Sequence, residues 1–397
     1  MKILSEARDM ADEIIDFRRK LHKNPELSFE EEKTGKFITE RLKEFGFDRV
    51  KDNIGGEGVV GLLSPDKNNI NDRKTVALRA DMDALPIEEN NDHGFVSQNK
   101  GVMHACGHDV HMAAVLGAAK ILAEYKNDIE CNIKVIFQPA EEKLEGAKAM
   151  IEDGALERPS VDAIFGLHVD PDIEAGKIGI KHGNMMASSD LLTLAVEGNS
   201  SHAARPHQGT DPITIAGHVI TVLQNVISRE ISAREAAVIS FGKISGGEAS
   251  NIIPEIVNLE GTLRTLNSEV RKNVLKKMER AIYHTGRSLD GNIRFEHKQT
   301  SPVLACDDNL VNLVKSTVKK ELGREKLAEL SSGIMGSEDF AFYLEKVPGA
   351  FFRLGIHNRE KNCIYPLHNP GFKVDENVIP VGSAVLASTA INIHQHS

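Results

Sequence analysis

Three short apolar runs in the first 180 residues each stop at side chains that ionise or bind metals. "KTVALRADMD" reaches Asp81 and Asp83, "NIKVIFQPAEE" reaches Glu141 and Glu142, and "VDAIFGLHVD" reaches His168. Between the first two lies "DVHMAAVLGAAKILAEYK", whose apolar spacing is helical. Between the last two lies "LEGAKAMIEDGAL", a shorter helical stretch ending near Gly154. Strand–helix alternation of this kind predicts an α/β fold with a largely parallel sheet. In such sheets ligands collect outside the carboxyl ends of the strands. Asp81, Asp83, Glu141, Glu142 and His168 are all expected there.

From residue 184 to about 297 the pattern changes. "DLLTLAVEG" reads as a strand and "DPITIAGHVITVLQNVIS" as a helix; "AAVISFGKISGG" and "IPEIVNLEGTLRT" read as two strands. A helix, "SEVRKNVLKKMERAIYHTG", and a last strand, "NIRFEHKQT", follow. That order, β-α-β-β-α-β, is the split-βαβ order of a ferredoxin-like domain. Because α/β segments resume after it, it reads as an insertion. The expected division is 1–183 and 298–397 for one α/β domain, with 184–297 inserted.

Bulk properties narrow the class. The chain has 397 residues, 41% hydrophobic and 27% charged, with a net charge of −10. An acidic surface argues against a nucleic-acid or anionic-membrane partner. No apolar run is long enough to span a bilayer, and the N-terminal stretch lacks a signal-peptide core. The expectation is a soluble, cytoplasmic protein. Cys106, Cys131, Cys306 and Cys363 are dispersed without a CxxC pair, so free thiols are expected, and Cys106 alone has metal-ligand neighbours.

Those neighbours are "HACGHDVH", residues 104–111. As one helix it would align His104, His108 and His111 on a face. Gly107 disfavours helix through its middle, and Asp109 suits the N-cap of the helix that follows. On this reading Cys106 and His108 are the ligands, His111 lies in the first helical turn, and His104 is structural. Surface histidines at a helix start are the plainer alternative. In "PAEE" one glutamate can hold an ion while the other carries a proton, as metal-assisted hydrolysis requires; a solvated helix N-terminus explains the pair equally simply. Asp81 and Asp83 each fit an ordinary turn, and His168 and His368 (in "PLHNPGF") each fit a packed imidazole. Their joint placement at strand ends is what favours a site.

Other motifs fail. "GEGVVG" (56–61) precedes a strand where a dinucleotide fingerprint would follow one, and GxSxG, HExxH and Walker patterns are missing. His394 and His396 read as a frayed tail.

Taken in order, "RRKLHKNPELSFEE", "RADMDALPIEE", "MHACGHDVHMAA", "FQPAEE", "GLHVDP", "SSHAARPHQGTDP", "SNIIPE", "GSEDFAFY" and "PLHNPGF" resemble the aminoacylase and carboxypeptidase-G-like metallohydrolases. The match is closest to the amidohydrolase branch of hippurate hydrolases, N-acyl-amino-acid deacylases and auxin-conjugate hydrolases. It runs over nearly the whole chain.

The resemblance implies a metallopeptidase-like catalytic domain with two divalent ions and an inserted lid that mediates homodimerisation. Carried over motif by motif, it makes Cys106, His108, Glu142, His168 and His368 the metal ligands and Glu141 the general acid/base. Asp83 would orient a ligand. His202 would donate to the developing oxyanion, often in the partner subunit's site, and Asn251 and Arg264 would hold the substrate carboxylate. Gly336 would line the pocket. Relatives outside this branch place a ligating histidine where Asp81 stands and a bridging carboxylate near Cys106, which leaves the role of Asp81 and the identity of the metal open. Thiolate and imidazole suit zinc, cobalt or nickel, and carboxylate admits manganese.

The activity this implies is cleavage of N-acyl amino acids, small-molecule substrates of acetyl or benzoyl type. Two alternatives stand beside it: a metallo-carboxypeptidase or dipeptidase using the same site, and a metal-binding dimer that has lost catalysis. An intact Glu141 beside Glu142 argues against the last.

Overall fold

The structure is a computed structural model and describes residues 2–393; His394 and His396 lie outside the described residues. Two compact units are present. The first comprises the chain up to Gly183, Ala305–Ser332, and the chain from Phe342 onward; the second comprises Asn184–Leu304 and Gly333–Ala341.

The first unit is built on an eight-stranded sheet. Its order is Arg49–Ile54, Gly58–Leu63, Asn132–Gln138, Thr75–Asp81, Ala163–Glu174, Gly349–His357, Ile178–Ile180 and Leu327–Glu329. The central strands, from Asn132–Gln138 to Gly349–His357, run parallel, and the Arg49–Ile54 and Gly58–Leu63 pairings are antiparallel. Every residue of Thr75–Asp81 and Asn132–Gln138 is buried, as expected of parallel strands covered on both faces. Helix His108–Glu124 is buried over nearly its whole circumference and packs against Ile379–Ile391. The first amphipathic stretch forms two helices, Ile3–Asp9 and Ala11–Lys23.

One expectation about this unit is corrected. The strand carrying His168 does not stop there but continues to Glu174. The neighbouring ladder with Thr75–Asp81 ends two residues before His168, at Arg79 opposite Gly166.

The second unit has the order strand Ser188–Glu197, helix Pro212–Asn225, strands Ala237–Ser245 and Ile256–Thr265, helix Ser268–Ser288, and strand Asn292–Ser301. All its main-sheet pairings are antiparallel, and Ala237–Ser245 and Asn292–Ser301 form the edges. Along Ile256–Thr265 buried and exposed residues alternate, the signature of a sheet with one covered face. Leu194, Val196, Leu259 and Leu263 on that face meet Ile215, Val219, Leu275 and Met278 from the two helices. Both helices start at side-chain caps, Asp211 and Asn267. Among the described residues no helix is long and apolar enough to cross a membrane.

Candidate metal centre

In the first unit, the loop before helix His108–Glu124 meets the carboxyl ends of the parallel strands. Gly107 sits at the helix N-cap with φ 84°. That left-handed turn is cheap for glycine, and a Cβ there would lie 2.6 Å from Val169. It lets Cys106, just outside the helix, and His108, its first residue, point into the same space.

Asp109 is not the cap, contrary to expectation. It is fully buried, and its Oδ2 accepts from Arg18 Nε at 2.6 Å and pairs with His22 Nδ1 at 2.8 Å. The glycine turn leaves no place for a capping side chain, and the Asp109 carboxylate serves an ion pair instead.

His108 Nδ1 donates to the Asp83 carbonyl at 2.8 Å, which directs Nε2 into the site. Nε2 is buried without a hydrogen-bond partner, as is Glu142 Oε1, and they stand 3.8 Å apart. Cys106 Sγ lies 3.5 Å from His168 Nε2, whose Nδ1 donates to the Val169 carbonyl. His368 Nε2 lies 3.5 Å from Glu142 Oε1. Glu141 Oε2 reaches within 4.0 Å of His108 Nε2. Ligand atoms of Cys106, His108 and His168, of Cys106, Glu142 and His368, and of His108, Glu141 and Glu142 form three overlapping groups of metal-binding size.

His111 stands apart. Its Nδ1 bonds Asp81 Oδ1 at 2.6 Å and its Nε2 accepts from the Val169 amide at 2.9 Å, so both ring nitrogens are committed. Asp81 is fully buried and also binds Arg79. Burial alone would raise its carboxyl, but His108, His111 and Arg79 hold it well below the usual carboxylate range.

The local field favours positive charge. Burial pushes the His108 imidazole down, but Asp81, Asp83 and Cys106 outweigh it and raise it well above normal. Cys106 and Glu142 beside it push His368 up to about 10. Burial, with His111 and Arg353 nearby, keeps His168 neutral, the form in which an imidazole binds a metal.

The loop that carries the two glutamates is held from outside. Asp83 Oδ1 accepts the Glu141 amide at 3.1 Å, and its Oδ2 accepts the Glu142 amide at 3.0 Å and Ser28 Oγ at 2.7 Å. Glu31 Oε1 accepts the amide of Ala140 at 2.8 Å, and Lys143 Nζ reaches the Ser28 carbonyl. Ser28 and Glu31 lie in "PELSFEE", a motif that showed no role in the sequence.

The remaining site candidates belong to the second unit. His202 and Asn251 are brought together on a two-stranded ribbon, where His202 pairs with Ile252 and the Ala203 amide bonds the Asn251 carbonyl. His202 is exposed and its Nδ1 accepts the Ala204 amide. Arg264 is half-buried and donates to Ser337 Oγ, one residue from Gly336; Ser337 is a partner that sequence reasoning missed.

A family model described as Peptidase family M20/M25/M40 matches residues 77–392. The chain belongs to this family. It is a metal-dependent hydrolase of the family's amidohydrolase branch. The chain is 39% identical over 380 residues to the N-acetyl-L-cysteine deacetylase of Bacillus subtilis, covering 95% of this chain and 87% of the relative. It is 38% identical over 395 residues to thermostable carboxypeptidase 2 of Saccharolobus solfataricus, covering 98% of each. Among solved structures it is similar to a Bacillus subtilis dinuclear metal-binding peptidase of the M20 family. That likeness has a TM-score of 0.84 and 32% identity, and covers 98% of this chain and 100% of that one.

Proposed function

We propose that this hydrolase cleaves the amide bond of N-acyl amino acids with the aid of two divalent ions held by Cys106, His108, Glu142, His168 and His368. The observation that carries the reading is the pair of buried, unpartnered atoms, His108 Nε2 and Glu142 Oε1, beside a thiol and two further imidazoles. A buried polar atom without a partner is costly, and an ion would satisfy both. The donor set therefore fits a divalent pair, with manganese, zinc, cobalt or nickel the candidates.

When bound, such ions supply Lewis acidity that stabilises charge on an amide oxygen and acidifies water. Glu141 takes the proton of the attacking water and returns it to the leaving nitrogen. Asp83 fixes the backbone from which Glu141 and Glu142 project. In the second unit, the Arg264 guanidinium has the fork geometry that suits a substrate carboxylate, and exposed His202 is free to donate to an oxyanion. The named deacetylase relative supports an N-acyl amino acid substrate, and the named carboxypeptidase relative favours a peptide as the second reading.

The test is a panel of acetylated and benzoylated amino acids against dipeptides, with each metal in turn. Preference for dipeptides would move the assignment to the second reading. Inactivity on the whole panel with every metal would remove both.

Homodimerisation is assigned to the second unit. Its edge strand Ala237–Ser245 exposes Val238 and Ile244, and Ile213 and Ile252 are exposed in the same unit. An unpaired edge with apolar side chains is suited to sheet extension by a second copy. A monomer mass in solution with full activity would refute this.

A further inference from the structure

We propose that Glu31 is a positioning residue for Glu141, acting through the backbone of Ala140. The inference deepens the function proposed above and rests on Glu141 being the base. Three consecutive amides, of Ala140, Glu141 and Glu142, are each accepted by a buried carboxyl group, the first by Glu31 and the other two by Asp83. Ala140 adopts φ 52°, a left-handed conformation that costs a residue with a Cβ about 1 kcal/mol or more and persists only where the surroundings hold it. The Glu31 bond is made at that strained peptide, immediately before the catalytic side chain. Asp83 holds the loop from the strand side and Glu31 from the start of helix Glu32–Glu44.

Burial pushes Glu31 up to about 8, against the lowering effect of the Ala140 amide, so at neutral pH it is a neutral acid that still accepts through its carbonyl oxygen. A neutral acceptor fixes the peptide without adding a second negative charge beside Glu141. It also predicts that an amide can replace it.

The experiment compares Glu31→Leu, Glu31→Asp and Glu31→Gln in the metal-loaded protein, with Glu141→Gln in parallel. Leu removes the acceptor and Asp withdraws it by one methylene. Both are expected to lower kcat about 10- to 100-fold, a misplacement effect, with KM and metal content within about twofold of wild type. Gln is expected to keep at least a third of kcat. Amide hydrogen exchange over residues 139–143 should quicken about tenfold in Leu and Asp and stay slow in Gln. Slow exchange in Leu, or loss of kcat in Gln equal to that in Leu, overturns the proposal. Should Leu not fold, Asp against Gln makes the same comparison. Fast exchange in Leu with a wild type inactive on every acyl amino acid would sink the proposed substrate and leave the clamp standing.

Discussion

Two clusters in the first unit, largely but not wholly buried, are made of nearly the same side chains. One contains His22, Glu89 and His93 with Arg18 and Asp109; the other contains Cys106, His108, Glu142, His168 and His368. In the first, the converging atoms already bond to one another. His22 Nε2 and His93 Nε2 sit 3.1 and 3.3 Å from Glu89 Oε1, the Ser97 amide takes the other Glu89 oxygen, and Arg18 supplies a fixed cation. In the second, the facing nitrogen and oxygen atoms of His108, His368, Glu141 and Glu142 stand 3.5 to 4.0 Å apart, and no arginine or lysine intervenes among the pairs described. A hydrogen bond needs about 2.7–3.2 Å between nitrogen and oxygen. The first cluster is therefore already bridged by direct ion pairs, and the nitrogen–oxygen spacing of the second suits a shared cation. Residue type does not separate the two; spacing and the supply of protons do.

That contrast breaks first at the base. Glu141→Gln keeps every proposed ligand and should lower kcat about 10²- to 10⁴-fold with unchanged metal content by elemental analysis. Full activity with normal metal would remove Glu141 from the mechanism. Next come the ligands. Cys106→Ser should weaken metal binding by more than the roughly 10–100-fold that loss of a supporting partner costs, whereas His111→Ala, whose nitrogens serve Asp81 and Val169, should stay within that range. Titration of chelator-stripped protein with zinc or manganese measures both. A larger loss in His111→Ala would mean that the ion binds on the Asp81 side of His108.

The bridged cluster should respond in the opposite way. Arg18→Met strands the fully buried Asp109 carboxylate with His22 as its remaining partner, and breaking a buried pair from one side costs about 3–5 kcal/mol. Denaturant unfolding should show that loss while metal content per folded molecule stays at the wild-type level. Loss of metal without loss of stability would merge the two clusters into one functional unit.

Part of the proposed site was legible because some of its residues are local. Cys106 and His108 lie two residues apart at the start of an apolar helix, and Glu141 and Glu142 are adjacent after an apolar run whose burial the sequence pattern announces. The β-α-β-β-α-β order of the second unit was legible for the same reason, since alternation and helical spacing are short-range signals. What was hidden is long-range. Asp109 looks like a helix cap until Arg18, 91 residues earlier, comes to meet it. Glu31 carries no signal, because its partner is a backbone amide 109 residues away. Strand length past His168 depends on pairing with Gly349–His357, which a local window does not contain.

The last expected effect concerns the neutral acid behind the loop. Glu31 titrates near 8 when folded against about 4.3 in an unfolded chain. Between those values the native state binds the proton and the unfolded state has released it. Glu31 therefore contributes stability that is complete below about pH 4.3 and is lost as pH rises through 8, with a slope of at most about 1.4 kcal/mol per pH unit. A carboxamide does not ionise, so Glu31→Gln lacks this slope. Urea unfolding of both proteins at pH 5, 6, 7 and 8, at one fixed metal concentration, isolates it, because the metal ligands titrate alike in the two. The wild type should lose ground to the variant steadily across that range. Parallel curves would mean that Glu31 is ionised in the folded protein and that burial does not keep the proton on it.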